Sequence, residues 1–382
     1  MSDDEADPEL LELLREKLGL GVAVPPSIPE TRVLEGAEWV YENSIDVALD
    51  AQKTQAAAEG IWQLMQSKEY SAKTWSTHEL HPKTKDESTV DFIFTMDLLN
   101  FSFWSEKSLE DRFAIEYRGK RWTGYWSLVA ALQRALEEEI PITSPEFWID
   151  EDKCTEEVLK TVFRSVTEEE IPLFQERLHN LREAGKILCE EFDGSFLTCI
   201  EEANGSAAAL VNLVAQSFPC FNDETRFEGK AVRLYKRAQI LVADMWACFE
   251  GQSYGEFDDI DKITVFAGMQ LSECFVYMSA YQYADYRIPQ ILHSLGCLLF
   301  SPPLESHIRS LKMIDSGSSR EVQVRGCTIW CVELIRRTIA RRHPEAKVNA
   351  ILIDFFLYDS MKEREEAGEE CIPHHRTRSI WY

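Results

Sequence analysis

The stretch EEEIPLFQERLHNLREAGKIL (residues 168–188) decides the fold class, because its apolar residues recur at helical spacing. The apolar positions lie three or four residues apart: Phe174, Leu178, Leu181, Ala184 and Leu188. This spacing gathers them into one stripe on one face of an α-helix. The preceding Thr167, followed by three glutamates, is typical of a helix N-terminus. The stretch therefore predicts an amphipathic helix over residues 168–188.

Most of the chain outward from this stretch repeats the pattern. Residues 232–249 form a second apolar stripe, Pro289 introduces a helix over 290–300, and Gly326 precedes one over 327–340. Strand signals are confined to residues 90–95 and 113–117, the second followed by an Arg-Gly-Lys turn. The sequence predicts a mainly α protein with a small β element near residues 90–123.

Composition and charge exclude several classes of function. The chain has 382 residues and a formal net charge of −26, which disfavours a long nucleic-acid partner but leaves room for a small anion in a local basic pocket. It has no apolar run near twenty residues and no signal peptide at its acidic N-terminus, so we predict no membrane partner. The ten cysteines lack any Cys-x-x-Cys pair and indicate free thiols in a reducing compartment, the cytoplasm or the nucleus.

Residues 1–34 are predicted to be an acidic, partly disordered appendage that ends in a proline-rich turn. Residues 35–382 are predicted to form the functional domain. No nucleotide-binding, zinc-protease or serine-hydrolase motif occurs, so we predict no cofactor and no metal site. Polar and aromatic residues cluster instead in five segments: 96–104, 235–239, 284–290, 352–359 and 374–382. The apolar Ile380-Trp381-Tyr382 predicts that the last of these segments docks on the domain.

These segments resemble the queuosine salvage protein family. The matching stretches run in order from about residue 36: LNFSFW, YRGKRWTGYWSL, IPITSP, GKIL, YKRAQILVADMW, ADYRIPQ, RGCTIWCVELIR and the tail HHRTRSIWY. The resemblance implies a helical domain similar to helix–hairpin–helix DNA glycosylases. It also implies hydrolysis of queuosine 5′-monophosphate, which releases the free base queuine for reinsertion into transfer RNA.

The resemblance makes the Asp of ADYR, Asp285, the catalytic acid. Cleavage of an N-glycosidic bond builds positive charge on the ribose, and a carboxylate stabilises that charge or activates water. Without the resemblance, Asp285 reads more simply as a helix cap. The likeness to helix–hairpin–helix enzymes pairs it with Lys236, which then holds the phosphate or ribose. Whether Lys236 acts covalently or electrostatically stays open, as does a plain salt-bridge role.

Other residues are predicted to bind the substrate. Asp354 and Asp359 lie in an apolar run and suit the amine and diol of queuine, although partnership with a buried arginine explains them equally well. By resemblance, His78 contacts the base and Phe266 stacks on it. Candidates for holding the phosphate are the basic residues near Asp285 and in the tail: Arg287, Arg376, Arg378 and His375.

One departure from the family lies beside Asp285. Family members run Phe-Ala-Asp-Tyr-Arg without a break, whereas here about seventeen residues, 267–283, follow Phe266. Their length keeps the reading frame, which suggests a retained intron. If the residues belong to the protein, they displace Phe266 from the pocket. Two other functions stay open: a DNA or RNA base glycosylase, and a non-catalytic helical adaptor. The oligomeric state is not predicted.

Overall fold

Helices make up most of the protein in this computed structural model, which describes residues 29–70, 78–265, 287–369 and 371–382. Within those residues the α-helices are, in chain order, α1 Val33–Glu42, α2 Ala51–Ser67, α3 Glu87–Leu98, α4 Tyr125–Glu137, α5 Pro145–Ile149, α6 Glu156–Val162, α7 Phe174–Glu191, α8 Phe196–Glu202, α9 Ala207–Ser217, α10 Lys236–Cys248, α11 Arg287–Ser294, α12 Pro302–Arg309, α13 Ser319–Arg342 and α14 Ala350–Glu366. The prediction of a mainly α protein is confirmed. The likeness to helix–hairpin–helix enzymes stays a prediction.

The β-structure of the described residues consists of three antiparallel pairs. The strands are β1 Val47–Leu49, β2 Ile115–Tyr117, β3 Lys120–Trp122, β4 Glu224–Phe227, β5 Lys230–Arg233 and β6 Leu298–Phe300. β1 pairs with β6, β2 with β3, and β4 with β5. The predicted strand at 113–117 is confirmed as β2. Arg118 and Gly119 both adopt positive φ (52° and 70°), which is the backbone that a two-residue hairpin turn requires.

The strand predicted at residues 90–95 is wrong, because these residues lie inside α3. Asp86 caps this helix by accepting a hydrogen bond from the Thr89 backbone N–H, and the helix is buried on nearly every side. It packs against α4, α7, α8 and α10. A short apolar run with no polar face cannot be assigned to helix or strand from periodicity alone, and here the run is a central helix.

Helix α13 organises the packing on another side of the core. It contacts α1, α2, α11 and α14 as well as β1 and β6. It begins at Ser319, capped by Ser318, rather than at 327 as predicted. Gly326 therefore lies inside the helix, where a Cβ atom would approach Val40 Cγ1 of α1 to 2.5 Å. The glycine does not start the helix but permits close contact between α13 and α1.

Three other predicted helices have different limits. α7 begins at Phe174 rather than 168, because Glu169 accepts hydrogen bonds from the Ser105 hydroxyl and the Phe113 backbone N–H instead of capping the helix. α10 begins at Lys236 rather than 232, because residues 230–233 pair with β4. The helix predicted over 290–300 ends at Ser294, and residues 298–300 pair with β1.

The described residues from Thr31 onward belong to one compact unit. Residues 1–28 lie outside the described part of the chain, as does the insertion at 267–283. The domain boundary predicted at residue 34 and the insertion both stay predictions.

Candidate active site

The candidate site is built on the loop at residues 99–105, which follows α3. Arg177 of α7 has no exposed surface and donates hydrogen bonds to the carbonyl oxygens of Leu99 and Phe101. Its guanidinium carbon also lies 4.3 Å from the centroid of the Phe101 ring. Since one buried cation fixes both the backbone and an aromatic side chain, the loop has a single, well-supported conformation.

This loop in turn holds the tail, residues 371–382. Trp104 Nε1 donates to the Thr377 carbonyl at 2.8 Å, and the Ser102 N–H donates to the Tyr382 carbonyl. The guanidinium carbon of Arg378 lies 3.8 Å from the Trp104 ring centroid. Tyr382 is buried. The predicted docking of the tail is therefore confirmed, and it brings two histidines and two arginines against the rest of the protein.

Lys236, the first residue of α10, lies in this region with 2 % of its surface exposed. Its position on the helix predicts a side chain that points towards a polar edge or a pocket, and its burial excludes an exposed edge. The preceding Tyr235 adopts a left-handed conformation (φ 47°), which is uncommon for an aromatic residue. The Lys236 ammonium lies 5.1 Å from the centroid of the Tyr382 ring. The strained backbone of Tyr235 and the burial of Lys236 together fix the position of this lysine.

Asp223 supports the start of α10 from outside the helix. Its carboxylate accepts the Lys236 backbone N–H at 3.3 Å, and its carbonyl accepts the Leu234 N–H at 3.0 Å. The same carboxylate forms a two-point ion pair with Arg325 of α13, whose Nη1 also lies 3.3 Å from Glu321. The pairs are buried, so their mutual neutralisation is needed to keep these charges inside the protein.

His374 of the tail lies among arginines. Burial, followed by the charges of Arg376, Arg287 and Arg112, lowers the pKa of His374 to about 3. Arg287 and Arg112 are themselves buried, and the Arg376 side chain is 17 % exposed. A neutral imidazole surrounded by three guanidinium groups marks a region of positive potential, which favours a bound anion.

His375 faces the Lys236 side of the tail. Burial, followed by the neighbouring His374, Lys236 and Arg325, lowers the pKa of His375 to about 3. Its Nε2 lies 3.3 Å from the Tyr382 hydroxyl. The two adjacent histidines thus connect the Lys236 region to the Arg287 region. The predicted cations Lys236 and Arg287 therefore both lie near the tail.

Arg287 opens α11, which packs against α14, the helix that carries both predicted base-binding acids. Its guanidinium carbon lies 5.3 Å from the Tyr358 ring centroid. Asp354 is fully buried, and Asp359 is partly buried. The Tyr70 hydroxyl donates to Asp359 Oδ2 at 2.5 Å. The structure therefore places Arg287 against Tyr358, the residue that precedes Asp359 on α14.

His78 is buried against an aromatic cluster that includes Trp126 of α4. Its ring stacks on Trp126 at a centroid distance of 3.3 Å, and it lies edge-on to His81 at 5.7 Å. These contacts fix the ring firmly and give it a clear structural role. Its contact with the base stays a prediction, because the described contacts are with this cluster rather than with α14 or the tail.

Asp285 and Phe266, the predicted catalytic acid and stacking ring, lie outside the described residues. Sequence reasoning missed Arg112, Asp223 and Arg325. Arg325 opens the matching stretch RGCTIWCVELIR, which was the available signal for it. Nothing in the local sequence distinguished the other two from ordinary surface charges.

Within the described residues, no set of three or more His, Cys, Asp or Glu side chains could hold a metal ion. No helix in that part of the chain is long and apolar enough to cross a membrane. A groove of about 670 Å³ runs between α2, α11 and α14 and is lined by residues such as Leu64, Leu295 and Phe356. None of the described candidate residues lines it.

Comparison with known proteins identifies the family of this chain. A family model described as queuosine salvage protein matches residues 80–284 and 279–382. The chain is 43 % identical over 366 residues to a Schizosaccharomyces pombe protein named queuosine 5′-phosphate N-glycosylase/hydrolase, covering 92 % of this chain and all of that protein. Proteins of the same name from Mus musculus (40 % over 364 residues; 94 % and 99 % covered) and Sphaerobacter thermophilus (38 % over 351 residues; 92 % and 95 %) are also similar. The chain therefore belongs to the queuosine salvage protein family.

Proposed function

We propose that this chain hydrolyses the N-glycosidic bond of queuosine 5′-monophosphate and releases queuine. The observation that carries the proposal is its identity of about two fifths, over nine tenths of its length, to relatives named queuosine 5′-phosphate N-glycosylase/hydrolase. The arrangement around Lys236 supports the same chemistry. A buried lysine, a ring of arginines and a helix with two acids suit a phosphorylated, cationic nucleoside.

In the proposed mechanism Asp285 stabilises the oxocarbenium-like ribose or activates the attacking water. It precedes Arg287 by two positions in the sequence, and a carboxylate just ahead of a helix N-terminus is favoured in its ionised form. Lys236 holds the ribose or the phosphate, and its buried location strengthens any such electrostatic contact. The bond between the anomeric carbon and the base nitrogen breaks, and the oxygen of water bonds to that carbon as a hydroxyl. The second proton of the water ends on the base nitrogen, so that free queuine is released.

The 5′-phosphate binds, in this proposal, in the positive region around His374. Arg287 and Arg376 are the predicted ligands of the phosphate. We add Arg112 as a third ligand, because its charge, like theirs, lowers the pKa of His374. Arginine suits the position, since its planar fork can contact two phosphate oxygens at once. Replacing Arg287 with Met should raise KM for the monophosphate far more than for the unphosphorylated nucleoside.

The base binds, in this proposal, between α14 and the residues around it. Asp354 and Asp359 accept hydrogen bonds from the amine and diol of queuine, while His78 and Phe266 contact its ring. The hydrogen bond from Tyr70 orients the Asp359 carboxylate and supports this assignment. A guanine nucleotide lacks the secondary amine and the cyclopentene diol of queuine, so we expect it to be hydrolysed poorly.

The decisive experiment incubates the protein with queuosine 5′-monophosphate and follows free queuine by liquid chromatography and mass spectrometry. We expect Asp285→Asn to lower kcat by about a thousandfold and Lys236→Met by about a hundredfold. Asp261→Asn and Lys153→Met change exposed residues of the same type and serve as controls. Absence of queuine release from the wild type, or full activity of Asp285→Asn, would contradict the proposal.

The same preparation tests the two alternatives. Binding to a nucleic-acid duplex that weakens steeply with salt, with release of a base from it, would favour a DNA or RNA glycosylase. Binding of neither substrate would favour a helical adaptor. A variant lacking residues 267–283, assayed beside the full chain, tests whether the insertion blocks the site. Sequencing of the transcript tests its origin, and abundant messages that encode all seventeen residues would exclude a retained intron.

A further inference from the structure

Tyr382 contacts two buried cations of the site at once. Its ring centroid lies 5.1 Å from the Lys236 ammonium and 5.2 Å from the guanidinium carbon of Arg325. All three side chains are buried, with 1–4 % of their surface exposed. Because water does not screen these charges, the negative face of an aromatic ring attracts them more strongly than it would at a surface.

The ring has little freedom to move. The Tyr382 carbonyl accepts the Ser102 N–H, and its hydroxyl lies 3.3 Å from His375 Nε2. Burial raises the pKa of Glu321, and a hydrogen bond from the Tyr382 side chain to Glu321 partly offsets this rise. Trp104 packs against the ring and completes its surroundings. The loop at 99–105 thus holds the tyrosine by its backbone and its ring, and His375 of the tail contacts its hydroxyl.

The position of the Lys236 side chain depends on this ring. The Lys236 backbone is fixed by Asp223, but a lysine side chain has four rotatable bonds and can reach several positions from one backbone. A rigid aromatic face beside the ammonium restricts these positions. Arg325, which contacts the same ring, is itself held by two acids and so acts as a fixed neighbour.

We infer that Tyr382 is a positioning residue that holds the Lys236 ammonium in its active orientation. The inference rests on the proposed function, because it assumes that Lys236 acts on the substrate. It assigns the essential property to the ring rather than to the hydroxyl. Loss of the ring should therefore lower kcat, whereas KM should change less, because the arginines and the acids of α14 also bind the substrate in the proposed function.

The test compares Tyr382→Phe with Tyr382→Leu in the queuosine 5′-monophosphate assay. We expect the phenylalanine variant to retain at least about a third of kcat, and the leucine variant to lose about tenfold or more with KM changed less than about threefold. In a Lys236→Met background, Tyr382→Leu should cause little further loss, because the two residues act as one unit. Thermal unfolding of each variant shows whether it is folded at the assay temperature.

Ile380→Ala provides the matched control. Ile380 packs on the core from the same tail but is not among the site residues, so its truncation should lower the melting temperature and leave kcat within about twofold. Equal kcat for the phenylalanine and leucine variants would overturn the inference, as would an undiminished effect of Tyr382→Leu in the Lys236→Met background. If the wild type releases no queuine, the proposed function fails and the inference fails with it. If the wild type is active and either of the other two results is found, the inference about Tyr382 fails and the proposed function stands.

Discussion

Replacing Asp97 with asparagine should remove a pH-dependent cost of folding. Asp97 of α3 has no exposed surface, and Asn100 donates to its Oδ1 at 3.2 Å. The nearby Arg237 donates instead to the carbonyl oxygens of Leu98 and Cys220. Burial therefore raises the pKa of Asp97 to about 8, although Asn100 and Arg237 act in the opposite direction.

The sign and size of the effect follow from proton linkage. The folded protein keeps the Asp97 proton up to about pH 8, whereas the unfolded chain releases it near the ordinary value of 3.8. The stabilisation is complete below about pH 3.8 and is lost as the pH rises through 8. In between, the free energy of unfolding falls by about 1.4 kcal/mol per pH unit, or about 2.7 kcal/mol from pH 5 to pH 7. Asparagine mimics the protonated acid and has no such loss.

Differential scanning calorimetry at pH 5, 6 and 7 measures this difference. An unfolding entropy of about 2.1 cal/mol/K per residue, over roughly 350 residues, converts 2.7 kcal/mol to about 3–4 °C. The melting temperature of Asp97→Asn should therefore rise by that amount relative to the wild type between pH 5 and pH 7. Asp261→Asn, at an exposed position, should follow the wild type. Parallel curves for Asp97→Asn and the wild type would refute the argument.

Four further substitutions test other parts of the structure. Gly326→Ala should destabilise the protein by about 1–3 kcal/mol through overlap with α1, whereas Gly60→Ala, where a Cβ meets no atom within 4 Å, should stabilise it by up to about 1 kcal/mol, as urea unfolding can measure. Tyr70→Phe should raise KM for queuosine 5′-monophosphate about tenfold with little change in kcat, because Asp359 loses the hydrogen bond that orients it; an unchanged KM would count against a base-binding role. Arg325→Met should cost about 3–5 kcal/mol of folding free energy, because it leaves two buried acids without their counterion, and a melting temperature equal to that of the wild type would contradict this.

The sequence predicted amphipathic elements well and fully buried elements poorly. The stripe through Phe174 and Leu188 identified α7, because that helix has one polar face and one apolar face. α3 has no polar face, so its apolar run was read as a strand. The C-terminal end of α11 was misplaced because residues 298–300 pair with β1, which is distant in the chain. The start of α10 was misplaced because residues 230–233 form a hairpin with the neighbouring strand β4 instead of joining the helix.

For the site, single residues were easier to predict than their groupings. Lys236 and Arg287 stood out in stretches that resemble the family, and the structure brings both beside the tail. The two-point pair of Asp223 with Arg325 could not be predicted, because it joins residues 102 positions apart. No local pattern encodes such a contact, whose partners meet only after several helices have packed.

The contacts between the loop at 99–105 and the tail also determine when the site can appear. Trp104 and Thr377 are joined across 273 residues of sequence. During synthesis on the ribosome, the loop emerges long before its partner, so α3 and α10 must pack while the space for the tail is still empty. Much of the polypeptide therefore folds before the tail binds to the loop and completes the active site. A shortened translation product that ends before the tail should be well folded over much of its length and yet have no glycosylase activity.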